Sequence, residues 1–362
     1  MWPLLSLVYS PRRGVALLAL LVASQGSLAQ DHTEPFQVGV LYWSMNIPGQ
    51  VAMRHGLEAE AERINEAAKK SEQRPVVLIP HVAGDDVMGI ERQIAQMNEL
   101  IAKDVDIIIA QPTDNAALVR PLKAANDAGI PVVAYDQYIS GGKLTAYVTS
   151  DNYQAGYLDG EYIAWKFPDT QTLKLILVEY PHVSSTVERV NGLLDGLRDQ
   201  KQPYKILRSY TAIEPKSGKI AGESILKDFP NPGDVDVVFS VNDGGGLAVV
   251  DVLFAAGRNE ICIATIDGDP ASVKNIEDGK LTCIDSAQFC GRLGGESMTL
   301  AYRILNGEHV AEHTLIPVFP VTPETRERYT GWVGTIPEGF QKPWPSKKPY
   351  WENTPRSVTN RE

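Results

Sequence analysis

The chain has 362 residues, of which 43% are hydrophobic and 22% are charged, and its formal net charge is −11. The length is enough for two domains of ordinary size, and the composition is that of a globular protein. The acidic balance argues against nucleic acid and anionic membrane surfaces as main partners, because both repel a negatively charged chain.

The N-terminus predicts an export signal. Arg12 and Arg13 precede a short apolar run over residues 14–23, and residues 27–29 offer the small side chains of a cleavage site. The alternative is a membrane anchor, but the run is well short of the ~20 residues that span a bilayer. We therefore expect a cleavable signal peptide over residues 1–29.

Strand and helix patterns alternate along the rest of the chain. The predicted strands cover residues 38–42, 76–80, 107–110, 130–135, 145–149, 173–178, 206–210, 235–240, 261–266, 282–285 and 314–319. The predicted helices cover residues 51–70, 90–102, 114–128, 155–167, 185–199, 217–227, 247–256, 271–278 and 294–305. Such alternation implies parallel sheets flanked by helices, and these strands are too many for one comfortable open sheet. We predict an α/β fold with two doubly wound parallel-sheet lobes.

Residues 106–137 form the clearest β-α-β unit of the chain. An apolar strand is followed by Asp114, which offers a helix N-cap, and Gly129 ends the helix before a second apolar strand. Asp136 and Gln137 lie where that second strand ends. Ligands of open parallel sheets bind at the carboxyl ends of strands, so Asp136 is a candidate ligand carboxylate.

Residues 330–362 differ from the rest in being rich in proline, glycine and aromatic side chains, which excludes a regular helix. We expect an extended arm whose aromatic side chains pack on the protein itself, and the alternative is docking to a partner.

Three cysteines, Cys262, Cys283 and Cys290, leave at least one thiol unpaired. Cys262 and Cys283 lie in strand-like runs and are expected in the core. A Cys283–Cys290 disulfide is one open alternative, and no nearby histidine supports a zinc site.

The sequence contains no nucleotide-binding or hydrolase motif, and we expect no cofactor, no metal and no enzymatic activity. Asp267 and Asp269 could be an acid and base pair, but residues two apart in a turn rarely face one bond from opposite sides.

Polar and aromatic side chains recur instead where predicted strands end. These residues are Trp43, Asn46, Asp136, Gln137, Asn242, Asp267 and Gln288. Carboxylates and amides bind hydroxyl pairs, and an indole covers the apolar face of a ring, so the set suits a polyhydroxylated ligand. The alternative for each one is a turn former or an N-cap.

Several segments of the chain are distinctive, among them VGVLYWSMNIPGQVAMRHGLEAEA, IIIAQPTDNAALVRPLKAANDAGIPVVAYD, VFSVNDGGGLAVVDVL and IATIDGDPASVKNIEDGKL. In these segments and in their order, the chain resembles the periplasmic sugar-binding proteins of the ribose/galactose type, which are partners of ABC importers. The resemblance implies a monomeric periplasmic receptor whose two lobes close on a sugar-like ligand. It implies crossing segments near residues 149–151, 288–290 and 317–322. The first lobe would comprise residues 36–149 and 289–317, the second residues 150–288 and 318–329, and the tail residues 330–362.

The resemblance also implies the ligand contacts. The family ligand positions fall on Trp43, Gly49, Gln50, Asp136, Gln137, Asn242, Asp267 and Gln288, with Arg189 near the position of a family arginine. The ribose-type pattern has two phenylalanines in the first loop, where this chain has Gly49 and Gln50, and arginines where it has Gln137 and Val187. These departures favour another pentose, a hexose, a polyol or a cyclic analogue over ribose.

A second resemblance is to the periplasmic quorum-signal receptor for furanosyl borate. That receptor similarly has a tryptophan in the first loop and an arginine at the position of Arg189. This second resemblance implies an alternative function, which is signalling through a membrane sensor kinase.

Overall fold

The computed structural model describes residues 34–84, 86–181 and 183–358. The predicted signal peptide lies outside these residues. None of the helices within them is long and apolar enough to cross a membrane.

The first ten strands follow the predicted order along the chain. The predicted last strand over residues 314–319 is instead two short strands in different sheets, because the chain passes between the lobes there, and three further short strands lie in the tail. The strands are β1 (Phe36–Tyr42), β2 (Val76–Val82), β3 (Ile107–Ala110), β4 (Val132–Tyr135), β5 (Ala146–Ser150), β6 (Leu173–Glu179), β7 (Tyr204–Thr211), β8 (Val237–Ser240), β9 (Cys262–Asp267), β10 (Thr282–Ala287), β11 (His313–Ile316), β12 (Phe319–Val321), β13 (Phe340–Gln341), β14 (Tyr350–Trp351) and β15 (Arg356–Val358).

The helices alternate with these strands. They are α1 (Pro48–Ala68), α2 (Gly89–Ala102), α3 (Val119–Asp127), α4 (Asn152–Lys166), α5 (Ser184–Asp199), α6 (Pro215–Asp228), α7 (Asp243–Ala255), α8 (Pro270–Glu277) and α9 (Cys290–Leu305).

Two separate sheets confirm the predicted two-lobed α/β fold. The first has the order β15-β11-β5-β4-β3-β1-β2 and the second the order β12-β10-β9-β8-β6-β7. Within these two sheets the edge strands β15 and β12 run antiparallel to their neighbours, and β13 and β14 form a separate two-stranded antiparallel sheet. Central strands such as β3 and β4 are buried throughout, as expected of strands covered by helices on both faces.

The chain passes between the sheets at three places in or near the predicted crossings. It leaves the first sheet between β5 and α4, returns between β10 and α9, and leaves again between β11 and β12. Helix α9 packs against α1 and the first sheet, whereas α4 packs against α5 and the second. The residue bounds given above for the lobes remain a prediction.

The structure corrects one helix boundary. Helix α3 begins at Val119, not directly after Asp114. The Asp114 carboxylate accepts hydrogen bonds from the backbone N–H groups of Ala116 and Ala117, at 2.8 and 2.7 Å. It therefore caps a turn that precedes the helix.

The cysteine pairing also differs from the alternative left open by the sequence. Cys262 and Cys283 form a disulfide, and Cys290 is a buried free thiol. Cys262 lies in β9 and Cys283 in the neighbouring β10, so sheet pairing brings their Cα atoms to 5.6 Å. Cys290 begins a helix of the other lobe, which removes it from this pair.

The C-terminal arm, residues 330–358, packs on the protein itself. Phe340, Trp344 and Trp351 are buried, and the Trp351 indole donates a hydrogen bond to the carbonyl oxygen of Val318 at 2.7 Å. Its last strand, β15, pairs with β11 at the edge of the first sheet. The arm thus contacts both lobes, which the sequence did not predict.

Candidate ligand-binding site

Strand ends from both sheets meet in the gap between the lobes. Asp267 is the last residue of β9, and Gln288 directly follows β10. The Asp267 carboxylate accepts hydrogen bonds from the Gln288 amide at 2.6 Å and from the Arg189 guanidinium at 3.1 Å. Three of the predicted residues therefore form one connected cluster on the second lobe.

Asp136 enters from the first lobe, directly after β4. Its carboxylate accepts a hydrogen bond from the amide of Gln111 at 3.0 Å. Its backbone carbonyl accepts hydrogen bonds from the hydroxyls of Tyr147 and Thr149, each at 3.1 Å. Backbone and side chain are thus both held, which orients the carboxylate.

The charges of these groups act on one another. Burial raises the pKa of the Asp136 carboxyl to about 6, with Asp267 adding to the rise and Gln111 and Arg189 opposing it. Burial also raises the pKa of Asp267, and the Arg189 guanidinium opposes that rise. Asp136, Asp267 and Arg189 therefore lie within electrostatic reach of one another, although they come from different lobes.

Arg189 is almost fully buried, and its other bonds fix it in place. Its Nε donates to the side-chain oxygen of Asn152 at 2.9 Å, and its Nη1 donates to the carbonyl oxygen of Val241 at 2.8 Å. Helices α4 and α5 approach so closely here that a Cβ atom on Gly156 would overlap the Arg189 carbonyl oxygen. A guanidinium fixed in this way presents its N–H groups in a constant direction.

Gln288 connects the cluster to the crossing segments. Its side-chain oxygen accepts a hydrogen bond from the Ser150 hydroxyl at 2.7 Å, while its amide binds Asp267. Ser150 ends β5 at the first crossing, and Gln288 lies at the second. One side chain therefore links two crossings to a candidate ligand carboxylate.

The loop after β1 contributes Trp43, Asn46 and Gln50. Trp43 is half-buried, and its backbone N–H donates to the Gln111 side chain at 3.3 Å. The buried Gln50 accepts a hydrogen bond from the backbone N–H of Ser44 at 3.0 Å, which holds the loop, whereas Asn46 is exposed. The ligand contacts expected of these three side chains remain predictions.

Asn242 and Gln137 differ in how many of their side-chain hydrogen-bonding groups already have a partner within the protein. The Asn242 side chain caps α7 by accepting from Gly245 N–H, and it donates to the Ile213 carbonyl oxygen at 3.0 Å. Asn242 is thus a helix N-cap, which was the alternative role that the sequence left open for each strand-end residue. The side-chain oxygen of Gln137 is buried and has no hydrogen-bond partner among the described residues. It has capacity left for a ligand.

Sequence reasoning missed several residues that position this cluster, above all Gln111 and Asn152. Gln111 directly follows β3, so the strand-end pattern that selected Asp136 also applies to it. Asn152 carried no such signal, because it acts on Arg189 across a contact between two helices.

A groove of about 410 Å³ lies beside the cluster, between the two lobes. Its lining includes Tyr147, Thr149 and Asn152, which also form hydrogen bonds with Asp136 or Arg189. None of the nine predicted residues lines it. The bonded cluster, and not the groove, contains the groups that the strand-end pattern selected.

Within the part of the chain that the structure describes, no group of three or more histidine, cysteine or acidic side chains could hold a metal ion.

Comparisons with known proteins agree with this architecture. The sequence profile of the periplasmic binding protein domain matches residues 38–309. The ribose import binding protein of Escherichia coli is 25% identical over 299 residues, which cover 82% of this chain and 94% of that protein. Its counterpart in Bacillus subtilis is 27% identical over 286 residues, which cover 78% of this chain and 86% of that protein.

A solved structure shows the same arrangement of lobes. The ABC transporter solute binding protein from Bacillus halodurans, with bound myo-inositol, is 26% identical and superposes with a TM-score of 0.70. The match covers 82% of this chain and 98% of that one. With its two parallel sheets and three crossings, the chain belongs to the periplasmic binding protein family and has the type 1 fold.

Proposed function

We propose that this protein is a periplasmic receptor that binds a sugar or polyol between its lobes and delivers it to an ABC importer. One observation carries the proposal: Asp136 and Asp267, one from each lobe, lie at strand ends within the field of a single buried arginine. Both residues also have positive φ, of 64° and 137°, which is a strained conformation for a non-glycine residue. Backbone strain of this kind clusters at binding sites.

The cluster offers the groups that a polyhydroxylated ligand needs. Carboxylates accept hydrogen bonds from hydroxyl groups, while the amides of Gln137 and Gln288 and the Arg189 guanidinium donate to hydroxyl or ring oxygens. Trp43 would cover an apolar face of the ring. Because the two carboxylates belong to different lobes, a ligand that binds both stabilises the closed arrangement over the open one.

The comparisons support this class of ligand. The named relatives are ribose import binding proteins and a solute binding protein with bound myo-inositol. Gln137 and Val187, where ribose-type proteins have arginines, favour a different sugar or a polyol over ribose itself. The family consists of binding proteins, which supports a receptor without catalysis.

The predicted signal over residues 1–29 accounts for export to the periplasm, and we propose that the mature receptor is a monomer. Deletion of its gene should abolish import of the labelled ligand in cells that otherwise take it up. Undiminished import would instead favour the signalling function.

A thermal-shift screen of pentoses, hexoses and cyclic polyols tests the ligand class, because a ligand that binds only the folded state raises the melting temperature. Calorimetry with the best ligand then tests the site. Asp136→Asn and Asp267→Asn should each weaken the affinity about tenfold to a hundredfold, as loss of a charged hydrogen-bond acceptor does. The control is Asp251→Asn, which alters an exposed aspartate paired with Lys280.

Two results would contradict the proposal at different levels. If no sugar or polyol raises the melting temperature, the ligand class is wrong. If a ligand binds and both variants keep the wild-type affinity, the site assignment is wrong.

A further inference from the structure

We propose that Trp332 of the C-terminal arm is a positioning residue for Asp267, so that this one residue of the arm supports ligand binding. The inference rests on the proposed function, because it takes Asp267 as a ligand contact. Trp332 lies beyond residue 309, where the family match ends.

Trp332 binds backbone groups on both lobes. Its indole N–H donates to the carbonyl oxygen of Asp267, at the end of β9, at 2.8 Å. Its own carbonyl oxygen accepts a hydrogen bond from Gly291 N–H, in the first turn of α9, at 2.8 Å. One residue therefore spans the second crossing, between the two lobes.

The contact with α9 depends on the absence of a side chain at residue 291. A Cβ atom on Gly291 would lie 3.2 Å from the Cα atom of Val333 and 3.4 Å from the Trp332 carbonyl oxygen. The first distance is short for two carbon atoms, so a side chain at residue 291 would require the arm to shift by a few tenths of an ångström.

The backbone of Asp267 needs stabilising contacts, because its conformation is strained. Its φ of 137° is strained for a non-glycine residue. Its carbonyl oxygen has two donors, the Gln288 backbone N–H at 2.9 Å and the Trp332 indole at 2.8 Å. Rotation of this backbone would also turn the carboxylate away from Arg189 and Gln288. The indole therefore stabilises the direction in which the carboxylate points.

The arm itself is anchored on either side of Trp332. Before it, the Tyr329 hydroxyl lies 3.4 Å from the carbonyl oxygen of Gly268 and 3.3 Å from that of Gln288. After it, Lys342 forms a buried ion pair with Glu161 of α4. These contacts keep the indole against Asp267 without help from the ligand.

Trp332→Phe tests the proposal, because it removes the indole donor and keeps an aromatic ring. We expect a threefold to tenfold loss of affinity for the best sugar or polyol of the screen. The matched control is Trp351→Phe, which removes an indole bond to the carbonyl oxygen of Val318 elsewhere in the arm. It should lower stability and leave the affinity unchanged.

Double variants show whether Trp332 acts through Asp267. The effect of Trp332→Phe on affinity should vanish in the Asp267→Asn background and persist in the Asp136→Asn background. An unchanged affinity in Trp332→Phe, an equal loss in Trp351→Phe, or an equal effect in both backgrounds would overturn the proposal.

A readout without ligand separates this inference from the proposed function. NMR titration of the Asp267 carboxyl should show a higher pKa in Trp332→Phe than in the wild type, because its bonds to Arg189 and Gln288, which lower that pKa, loosen. Trp351→Phe should show no such change. An unaltered Asp267 titration in Trp332→Phe refutes the positioning role, whether or not a sugar binds.

Discussion

At the scale of single residues, the second lobe contains carboxyls that water does not reach. Asp159, Asp243 and Asp285 are fully buried or nearly so, and burial raises the pKa of all three. For Asp285 the pKa rises to about 7, and for Asp243 the neighbouring Asp285 carboxylate adds to the rise. Buried carboxyls in such proximity hold protons that they would release in water.

This burial predicts how stability depends on pH. An aspartate of the unfolded chain loses its proton near pH 3.9, whereas Asp285 in the folded protein keeps it up to about pH 7. Between these values the folded state binds more protons, so the free energy of unfolding should fall as the pH rises from about 4 to about 7. Urea denaturation at a series of pH values measures this slope.

Asp285→Asn provides the comparison, because it keeps an oxygen for the Gly268 N–H, which Asp285 accepts at 2.9 Å. The variant should have a shallower slope and lose less stability at pH 7.5 than at pH 5, relative to the wild type. Parallel stability curves for the two proteins would disprove this assignment.

At the scale of elements, glycines decide how closely the helix pairs approach. A Cβ atom on Gly156 of α4 would overlap the Arg189 carbonyl oxygen of α5, and one on Gly192 would overlap the Tyr153 carbonyl oxygen of α4. A Cβ atom on Gly294 of α9 would likewise overlap the Met53 carbonyl oxygen of α1. Because α5 supplies Arg189, the close contact between α4 and α5 also sets the position of the guanidinium.

Gly156→Ala should therefore destabilise the protein by about 1–3 kcal/mol, the usual cost of overfilling a packed contact, and should weaken ligand binding by displacing Arg189. The control is Gly295→Ala in α9, where the nearest contact of a new Cβ atom would be the Gly56 oxygen at 3.5 Å. That change should be neutral or stabilising, since alanine favours helix. Chemical denaturation and calorimetry measure both effects, and equal stability of the two variants would contradict the packing argument.

At the scale of the whole molecule, the arm adds a fourth connection between the lobes. Trp351 donates a hydrogen bond to Val318 at the third crossing, and β15, which pairs with the edge of the first sheet, begins five residues later. Five residues reach at most about 18 Å. Arg356 also forms an ion pair with Asp151, the N-cap of α4. A tether this short limits how far the lobes can separate.

Removal of residues 354–362 should let the ligand-free receptor open wider, because β15 and its ion pair are lost. Small-angle scattering and distances between spin labels on the two lobes measure the opening. Arg356→Ala is the control. It keeps the strand and removes only the ion pair with the Asp151 carboxylate. If the truncated protein opens no further than the wild type, the arm does not limit the hinge.

The sequence by itself determined the two-lobed fold and the strand-end residues, because strand and helix periods are local properties of the chain, whereas the crossings were implied by the family resemblance. The same local pattern identified Asp136, Asp267 and Gln288. It placed the start of α3 too early, because it did not distinguish a capped turn from a helix.

Only the tertiary structure decided the Cys262–Cys283 disulfide, the bonds that fix Arg189 and the position of Trp332 against Asp267. Each joins groups that are distant along the chain, and local spacing carries no information about which distant segments become neighbours. The arm illustrates this most clearly: its composition predicted burial of its aromatic side chains, but only the packed structure shows that it binds both lobes and holds a candidate ligand residue.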